Sequence, residues 1–345
     1  MSNVNFLFTL FQMKSKQKVI VTTSCVIFCV ILGGYLGYFI GSIFNAPKVE
    51  SQDYIEPKLD KIEDTLAKVT KIKTSLGVNS LKEIDFASSQ VKEKLTPSDV
   101  VNVALYNTMS SKYFMSLTNG GTDSQAGAMG NVHQVVLATY LKNNNNMFIE
   151  SLSTGTVNVI YRFYCDDVTK DSVRIFGGDV LKKAKEVEGN PFTKEKAQIF
   201  GGKSFDNACI YAISNDTVIP TTDIKDASKP ETFTTDIVKN DDGNGYKVTL
   251  ALDPLKSCIE YAKQIALMNV MTQKPNFYNI GLEFNISNDM LVLEKRVHEY
   301  YIVFPSLTGS ATPTVSYNTE KFFYSDKEFK IPAMSEDVDY KYKGA

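Results

Sequence analysis

A run of 26 residues near the N-terminus, from Val19 to Phe44, contains no charged side chain. Valine, isoleucine, leucine and phenylalanine dominate the run. As a helix it would be about 39 Å long, which is enough to cross a hydrocarbon core of about 30 Å with some tilt. We therefore predict one transmembrane helix over residues 19–44, which ties the rest of the chain to a bilayer.

Charged residues flank this apolar run unequally. Three lysines lie within residues 14–18, whereas Glu50, Asp53 and Glu56 follow the run. Positive residues next to a membrane helix favour the cytoplasmic side. We therefore expect residues 1–18 in the cytoplasm and the large C-terminal part outside the cell membrane.

A cleaved signal peptide is the alternative interpretation of the same run. The apolar region of a signal peptide covers about 7–15 residues and ends in small side chains. The run here is longer, and Ile43, Phe44 and Asn45 follow no small-residue pattern. These features favour a retained anchor over a cleaved leader.

Three glycines recur at every fourth position inside the run, at Gly33, Gly37 and Gly41. This spacing puts them on one face of a helix. Small residues on one face allow two membrane helices to approach closely. They are candidate helix–helix contacts for a homodimer, although glycine is also common in membrane helices that do not associate.

Charge and cysteine usage exclude several classes of protein. The formal net charge of −2 offers no basic surface for neutralising phosphates, so we expect no nucleic-acid partner. Cys25 and Cys29 lie inside the apolar run, and no C-x-x-C pair occurs. The other three, Cys165, Cys209 and Cys258, are far apart in sequence. We interpret them as small buried hydrophobic residues and predict neither a disulfide framework nor a zinc site.

No pattern typical of a catalytic or metal site is present, so we predict a non-enzyme with no cofactor. His133 and His298 are the only histidines, and neither lies in a motif of hydrolases or metalloproteases. In a strand, His298 and Glu299 would point to opposite faces. Residues 201–204 resemble the end of a P-loop but lack its first glycine. The oxygen-rich Asp241–Gly245 segment is typical of a hairpin turn.

The segment between the apolar run and the main domain, residues 45–95, combines a polar linker with a membrane-proximal helix. Apolar residues at spacings of three and four predict the helix from Lys58 to about Leu76. It is either a short stalk coil or an amphipathic helix that packs on its own domain, and we favour the second. Thr96 and Pro97 then begin another helix that ends near Ser111.

Alternating apolar and polar residues predict that residues 96–332 form one β-rich domain and that residues 333–345 form a loose acidic tail. Such alternation is typical of antiparallel sheets with one buried face. We predict a loop at 120–124 and a helix at 255–271. The predicted strands cover residues 131–141, 147–153, 157–165, 173–176, short segments near 208–213 and 231–238, residues 246–252, a hairpin at 277–304 and a strand at 314–324.

The predicted fold class is α+β, with one N-terminal transmembrane helix and a curved, mostly antiparallel sheet packed on a few helices. The order strand 246–252, helix 255–271, hairpin 277–304 and strand 314–324 resembles the half-open barrels of the LolA and LppX-like lipoprotein carriers. The segment that begins Leu252-Asp253-Pro254 and continues through Tyr261 to Ile265 also resembles a segment of uncharacterised exported proteins of low-GC Gram-positive bacteria. The resemblance implies that the domain carries a lipid-like ligand and that the membrane helix replaces the lipid anchor of those carriers.

Aromatic residues concentrate in the last predicted strands, where they could line a ligand cavity or fill the core. The leading functional hypothesis is a membrane-anchored extracytoplasmic protein that binds a lipid, another apolar molecule or an envelope protein. The alternative is a structural or adhesive surface protein that acts through protein–protein contacts. The candidate cavity or core residues are Tyr300, Tyr301, Phe304, Tyr317 and Phe323.

Overall fold

The structure is a computed structural model that describes residues 52–125, 131–144, 146–155, 159–165, 172–177, 185–186, 213–225, 230–259, 273–305 and 311–330. None of the helices in these ranges is long and apolar enough to span a bilayer. The predicted membrane helix, with Gly33, Gly37 and Gly41, lies outside them, as does the tail after residue 330. The anchor, the dimer contact and the loose tail therefore stay predictions.

Helix α1 (Ile62–Leu76) follows the linker and is capped by Gly77. This glycine adopts a left-handed backbone conformation, which glycine reaches more easily than other residues. Its Val69 and Ile72 side chains are buried in the main hydrophobic core. The amphipathic pattern therefore produces a helix that packs on its own domain, and the stalk-coil interpretation is wrong. A short helix α2 (Ser89–Lys92) follows a 3-10 turn.

Helix α3 (Pro97–Ser110) begins where the sequence predicts. The Thr96 hydroxyl accepts a hydrogen bond from the backbone N–H of Asp99, and the Asp99 carboxylate accepts one from the backbone N–H of Thr96. This capping box satisfies two backbone donors that the first turn would otherwise leave unpaired. Asp99 also pairs with Lys68 at 3.0 Å, which joins α1 to α3.

The main sheet places its strands in the order β10-β11-β12-β13-β14-β1-β2-β3-β4-β5-β6, and β7 pairs with β11. Every pairing in it is antiparallel, as predicted. A second sheet of two strands, β8 and β9, is separate. The strands are β1 (Tyr113–Gln125), β2 (Asn131–Asn143), β3 (Asn146–Thr154), β4 (Val159–Cys165), β5 (Ser172–Gly177), β6 (Lys185–Glu186), β7 (Val218–Ile219), β8 (Thr221–Ile224), β9 (Glu231–Thr234), β10 (Asp236–Lys239), β11 (Tyr246–Leu252), β12 (Asn276–Ile286), β13 (Val292–Val303) and β14 (Thr312–Tyr324).

The predicted loop at 120–124 is wrong, because these residues form the second half of β1. This strand lies in the middle of the sheet, between β14 and β2. A Cβ atom on Gly120 would lie 1.9 Å from Asn318 Oδ1, and one on Gly121 would lie 2.5 Å from the carbonyl oxygen of Gln134. The two glycines therefore allow the neighbouring strands to pack closely against β1 and do not form a turn.

The helices α1 and α3 cover one face of the sheet, which we call the helix-side face. Buried Ile280, Leu282, Phe284 and Ile286 of β12 join the residues of both helices in one core on that face. We call the opposite face the outer face. The predicted helix 255–271 is described only at its start, as α4 (Pro254–Ser257).

The small sheet of β8 and β9 packs on the outer face. Phe233 lies where a Cβ atom on Gly281 would be, at 2.2 Å, so glycine is required beneath its ring. Ion pairs hold the same hairpin, since Glu231 Oε1 lies 2.5 Å from Arg296 Nη2. Both faces of β12 and β13 are therefore covered at this position.

The cysteine prediction needs one correction. Cys258 is fully buried, as expected for a small hydrophobic residue, but it is disulfide-bonded. Its partner is one of the other four cysteines, whose side chains lie outside the described residues. Long separations in sequence hid this pair because only the fold brings such cysteines together.

Candidate functional site

Strand register assigns each side chain of the sheet to a face, because directly opposed residues of an antiparallel pair project to the same side. Starting from Ile280 in the helix-side core, the register passes through Glu299, Ser316 and Thr122 to Gln134. These five residues form one row across β12, β13, β14, β1 and β2. Glu299 therefore lies on the same face as the apolar core.

The chemistry of the helix-side face changes across the sheet. On β11 and β12 it is apolar and fully buried. On β14 and β1 it carries polar residues, most of them serine or threonine, over most of the strand length, so this part of the face is not ordinary core. The polar residues are Thr312, Thr314, Ser316, Asn318 and Glu320 of β14 and Ser116, Thr118, Thr122 and Ser124 of β1.

Burial also decreases along this face. Ser116, Ser316 and Thr314 are buried, whereas Asn318 and Thr122 are partly exposed. The helix-side residues of β2 are partly exposed from Val132 to Ala138. The face is therefore closed over β12 and partly open over β1 and β2. We call the helix-side face of β13, β14, β1 and β2 the polar face.

An ion pair lies within the polar face, completely removed from water. Lys295 Nζ of β13 is 2.7 Å from Glu320 Oε2 of β14, and the two side chains are 2% and 0% exposed. Ser116 of β1 donates its hydroxyl hydrogen to Glu320 Oε1 at 2.5 Å. Charges in such a place need partners, because desolvation of an isolated ion costs several kcal/mol. Here the ammonium and the carboxylate are partners for each other.

Glu299 carries the second buried carboxyl group of the polar face and is 1% exposed. Burial raises its pKa to about 8, although the Ser316 hydroxyl and the Lys295 ammonium act in the opposite direction. Among the described residues, nothing forms a hydrogen bond with Glu299 Oε1. The side chain is therefore a mainly neutral acid near pH 7 with one unoccupied oxygen.

The predicted aromatic residues are divided between the two faces. Tyr301 lies on the helix-side face and stacks on Phe277 with ring centroids 4.8 Å apart. Tyr300 and Tyr317 lie on the outer face, where Tyr300 packs near the β8–β9 hairpin. Phe323 is also on the outer face and is 43% exposed.

Phe304 follows β13 and is buried. The structure therefore does not bring the five aromatic residues together around one site. Tyr301 is the member whose ring lies on the same face as Glu299. A ligand cavity lined by these residues stays a prediction, and Tyr301 is the residue of the five that the strand register places on the polar face.

The histidines occupy two separate positions on the outer face. His298 Nδ1 lies 3.3 Å from Glu231 Oε2 and its ring packs against Phe233. His133 and Asp123 form an exposed pair at 2.6 Å. The expectation that His298 and Glu299 point to opposite faces is confirmed.

No group of three potential metal ligands occurs in the part of the chain that the structure describes.

Sequence reasoning missed Lys295, Glu299 and Glu320 as site residues. The signal was present, because Lys295, Val297, Glu299 and Tyr301 alternate along β13 and so share a face. The residues between them, Arg296 and His298, are also charged or polar. Without the structure, neither set could be assigned to the helix-side face.

No protein-family model matches the chain, and no curated protein matches it in sequence. Solved structures similar to it include a LolA superfamily protein from Nitrosomonas europaea, the class that the strand and helix order resembles. That protein is 10% identical, with a TM-score of 0.17 over 69% of this chain and 96% of the other. A DUF1329 family protein from Desulfovibrio piger gives 10% identity and a TM-score of 0.24 over 69% and 93%.

Lipovitellin, from a study of its lipid–protein interactions, is 9% identical and gives a TM-score of 0.29 over 67% of this chain. The chain spans about a quarter of lipovitellin, since the match covers 27% of that protein. Scores in this range carry no argument about ligand or activity. The functional proposal therefore rests on the contacts within this chain.

Proposed function

We propose that the protein is a membrane-tethered extracytoplasmic binding protein that holds a lipid-like, amphipathic ligand against the polar face without catalysing a reaction on it. One observation carries the proposal. The helix-side face is densely packed over β11 and β12, becomes polar over β14 and β1, and is partly exposed at Thr122 of β1 and over β2.

A polar, partly exposed region next to an apolar core is suited to a molecule with both kinds of surface. Buried hydroxyl and carboxyl groups cost free energy unless they find hydrogen-bond partners. Val132, Val136 and Tyr301 lie on the same face and offer apolar contacts. Ligand sites commonly combine apolar walls with a few polar groups that fix orientation.

Two features support the tether and the compartment. The uncharged run of residues 19–44, preceded by lysines, has the length and flanks of a signal anchor. The buried disulfide of Cys258 suits an oxidising compartment, because disulfides persist mainly outside the cytosol.

The proposal is tested by filling the polar face. Thr122 is a partly exposed residue of β1 on this face, and Asn119 is an exposed residue of the same strand on the outer face. The full chain, Thr122→Trp and Asn119→Trp are purified in detergent and compared by native mass spectrometry and organic extraction. We expect a bound lipid-like mass in the wild type and in Asn119→Trp, and its loss in Thr122→Trp. A bare wild-type chain that takes up no added phospholipid would overturn the proposal.

A second candidate function is a structural or adhesive role through the outer face. Leu117, Leu137 and Phe323 are 41%, 46% and 43% exposed and lie on that face of three adjacent strands. Exposed apolar patches commonly mark protein contacts. Photo-crosslinking from Leu117 in cells, compared with exposed Lys239 at the sheet edge, tests this role. A protein adduct specific to Leu117 would favour it, and equal labelling would count against it.

A further inference from the structure

The buried charges of the polar face are incomplete. Lys295 and Glu320 form a pair, and Ser116 supplies Glu320 with a further hydrogen bond. Ser316 donates a hydrogen bond to Glu299, and Lys295, the ammonium group that pairs with Glu320, also acts on Glu299 by lowering its pKa. The cluster thus contains two carboxyl groups and one ammonium group, all withdrawn from water.

The cluster is neutral while Glu299 carries its proton, and when Glu299 ionises the cluster needs one further positive charge that donates a hydrogen bond. Glu299 Oε1 has no partner among the described residues, although the side chain is 1% exposed. A second ammonium group beside it would give two carboxylates and two cations. Charge-assisted hydrogen bonds of this kind are about twice as strong as neutral ones.

We propose that Glu299 binds a primary ammonium group of the ligand, so that the ligand of the polar face is an amphiphile with a primary amine. This inference rests on the proposed function, since it names the ligand class of the same face. Glu299 is the binding residue, and Lys295, Glu320 and Ser316 position and balance its charge.

The register gives the distance that such a group must cover to reach Glu299 from the partly exposed part of the polar face. Glu299, Ser316 and Thr122 are directly opposed residues of β13, β14 and β1. Adjacent strands are about 4.8 Å apart, so Glu299 lies roughly 10 Å from the partly exposed Thr122. An amine on a short linker spans that distance while the apolar part of the ligand remains over β1 and β2.

Proton balance gives this proposal a distinct signature. In the unliganded protein Glu299 carries a proton near pH 7, because burial raises its pKa to about 8. The ligand's ammonium keeps its own charge and replaces that proton, which passes to solvent. The groups that face Glu299 are Lys295 on its own strand, Ser316 and Glu320 on β14, and the apolar Ile280 on β12. Binding should therefore release close to one proton per ligand.

The test uses the full chain in detergent, freed of bound lipid, and three short-chain phospholipids. The ethanolamine lipid presents a primary ammonium, the glycerol lipid presents hydroxyl donors, and the choline lipid presents a cation without an N–H group. Titration calorimetry at pH 7 is repeated in two buffers of different ionisation enthalpy. We expect the ethanolamine lipid to bind at least roughly tenfold more tightly than the other two, with proton release for that lipid.

Variants separate the binding role of Glu299 from general effects of charge removal. Glu299→Gln keeps the shape but cannot ionise, and should lose both the ethanolamine preference and the proton release. Glu283→Gln, on the outer face beside Lys247 and Arg296, should keep both.

Equal affinity for the ethanolamine and glycerol lipids, or an unchanged preference in Glu299→Gln, would overturn the ammonium proposal while the binding function stands. Failure of the wild type to bind any of the three lipids would overturn the binding function and the ammonium proposal together. The two failures are thus distinguished by the wild-type titrations alone.

Discussion

Replacing Glu299 with glutamine should change how the stability of the protein depends on pH. The pKa of Glu299 is raised from 4.5 to about 8, with burial as the largest cause. In the unfolded chain the carboxyl loses its proton near pH 4.5, whereas in the folded chain it keeps the proton until about pH 8. The stabilising contribution of the protonated form is complete below pH 4.5 and is lost as the pH rises through 8.

The magnitude follows from the linkage relation. Each pH unit between these two pKa values lowers the free energy of unfolding by roughly 1 kcal/mol. Over the whole window the wild type loses a few kcal/mol through this one residue. Glutamine does not titrate, so Glu299→Gln should equal the wild type near pH 4.5 and become more stable as the pH rises to 8.

The assay is urea unfolding of the full chain in detergent, followed by circular dichroism from pH 4.5 to 9. The difference between variant and wild type isolates Glu299, because all other titrating groups are common to both. Glu283→Gln controls for the loss of a carboxylate on the outer face. Parallel curves for the wild type and Glu299→Gln across the whole pH range would refute the assignment of Glu299 as a buried neutral acid.

Three further predictions concern the frame around the site. Gly120→Val should lower the free energy of unfolding by about 1–3 kcal/mol, because the valine Cβ atom would clash with the Asn318 side chain and a backbone carbonyl oxygen. The double variant with Asn318→Ala should regain only part of this loss when both are measured by chemical unfolding. Tyr324→Phe should lower the free energy of unfolding by about 1–2 kcal/mol in the same assay, because the tyrosine hydroxyl donates a hydrogen bond to the carbonyl oxygen of Val292 at 2.6 Å and contacts Thr108. An unchanged unfolding midpoint would contradict this contribution. Peptide mapping without reductant should find Cys258 linked to another cysteine, whereas a free Cys258 thiol in the purified chain would remove one support for an extracytoplasmic location.

The periodicity of the sequence was sufficient for much of the sheet. Strand β11 begins and ends at the residues predicted from its alternation, Tyr246 and Leu252. The hairpin at 277–304 corresponds to β12 and β13, and the strand at 314–324 to β14, with shifts of a residue or two at the ends. These strands pair with sequence neighbours and bury one regular apolar face, so local pattern and tertiary packing agree.

The central strand β1 was not predictable in the same way. Its second half contains glycines, threonine and aspartate, which are typical of loops. Pairing with β14 on one side and β2 on the other holds it in the sheet. The paired residues Ser124 of β1 and Thr314 of β14 are 190 positions apart in the sequence. Such a long-range pairing leaves no local signal, so the tertiary fold overrides the propensity of the segment.

The candidate site was hidden for a related reason. Alternation along β13 separates Lys295 and Glu299 from Arg296 and His298, but both sets are charged or polar. Both faces of this strand are covered, by the helix-side core on one side and by the β8–β9 hairpin on the other. Only the register across β13 and β14 shows that Lys295 meets Glu320 and that Glu299 lies on the same face as this ion pair.

The central claim is that the ligand lies on the polar face, and site-specific photo-crosslinking tests it most directly. A photoreactive residue is placed at Thr122 or at Asn119 of the full chain, irradiated in cells, and the intact mass is measured. We predict a lipid-sized adduct at residue 122 and none at residue 119, because the two side chains project to opposite faces of β1. An adduct confined to residue 119, or equal labelling of both, would contradict the account.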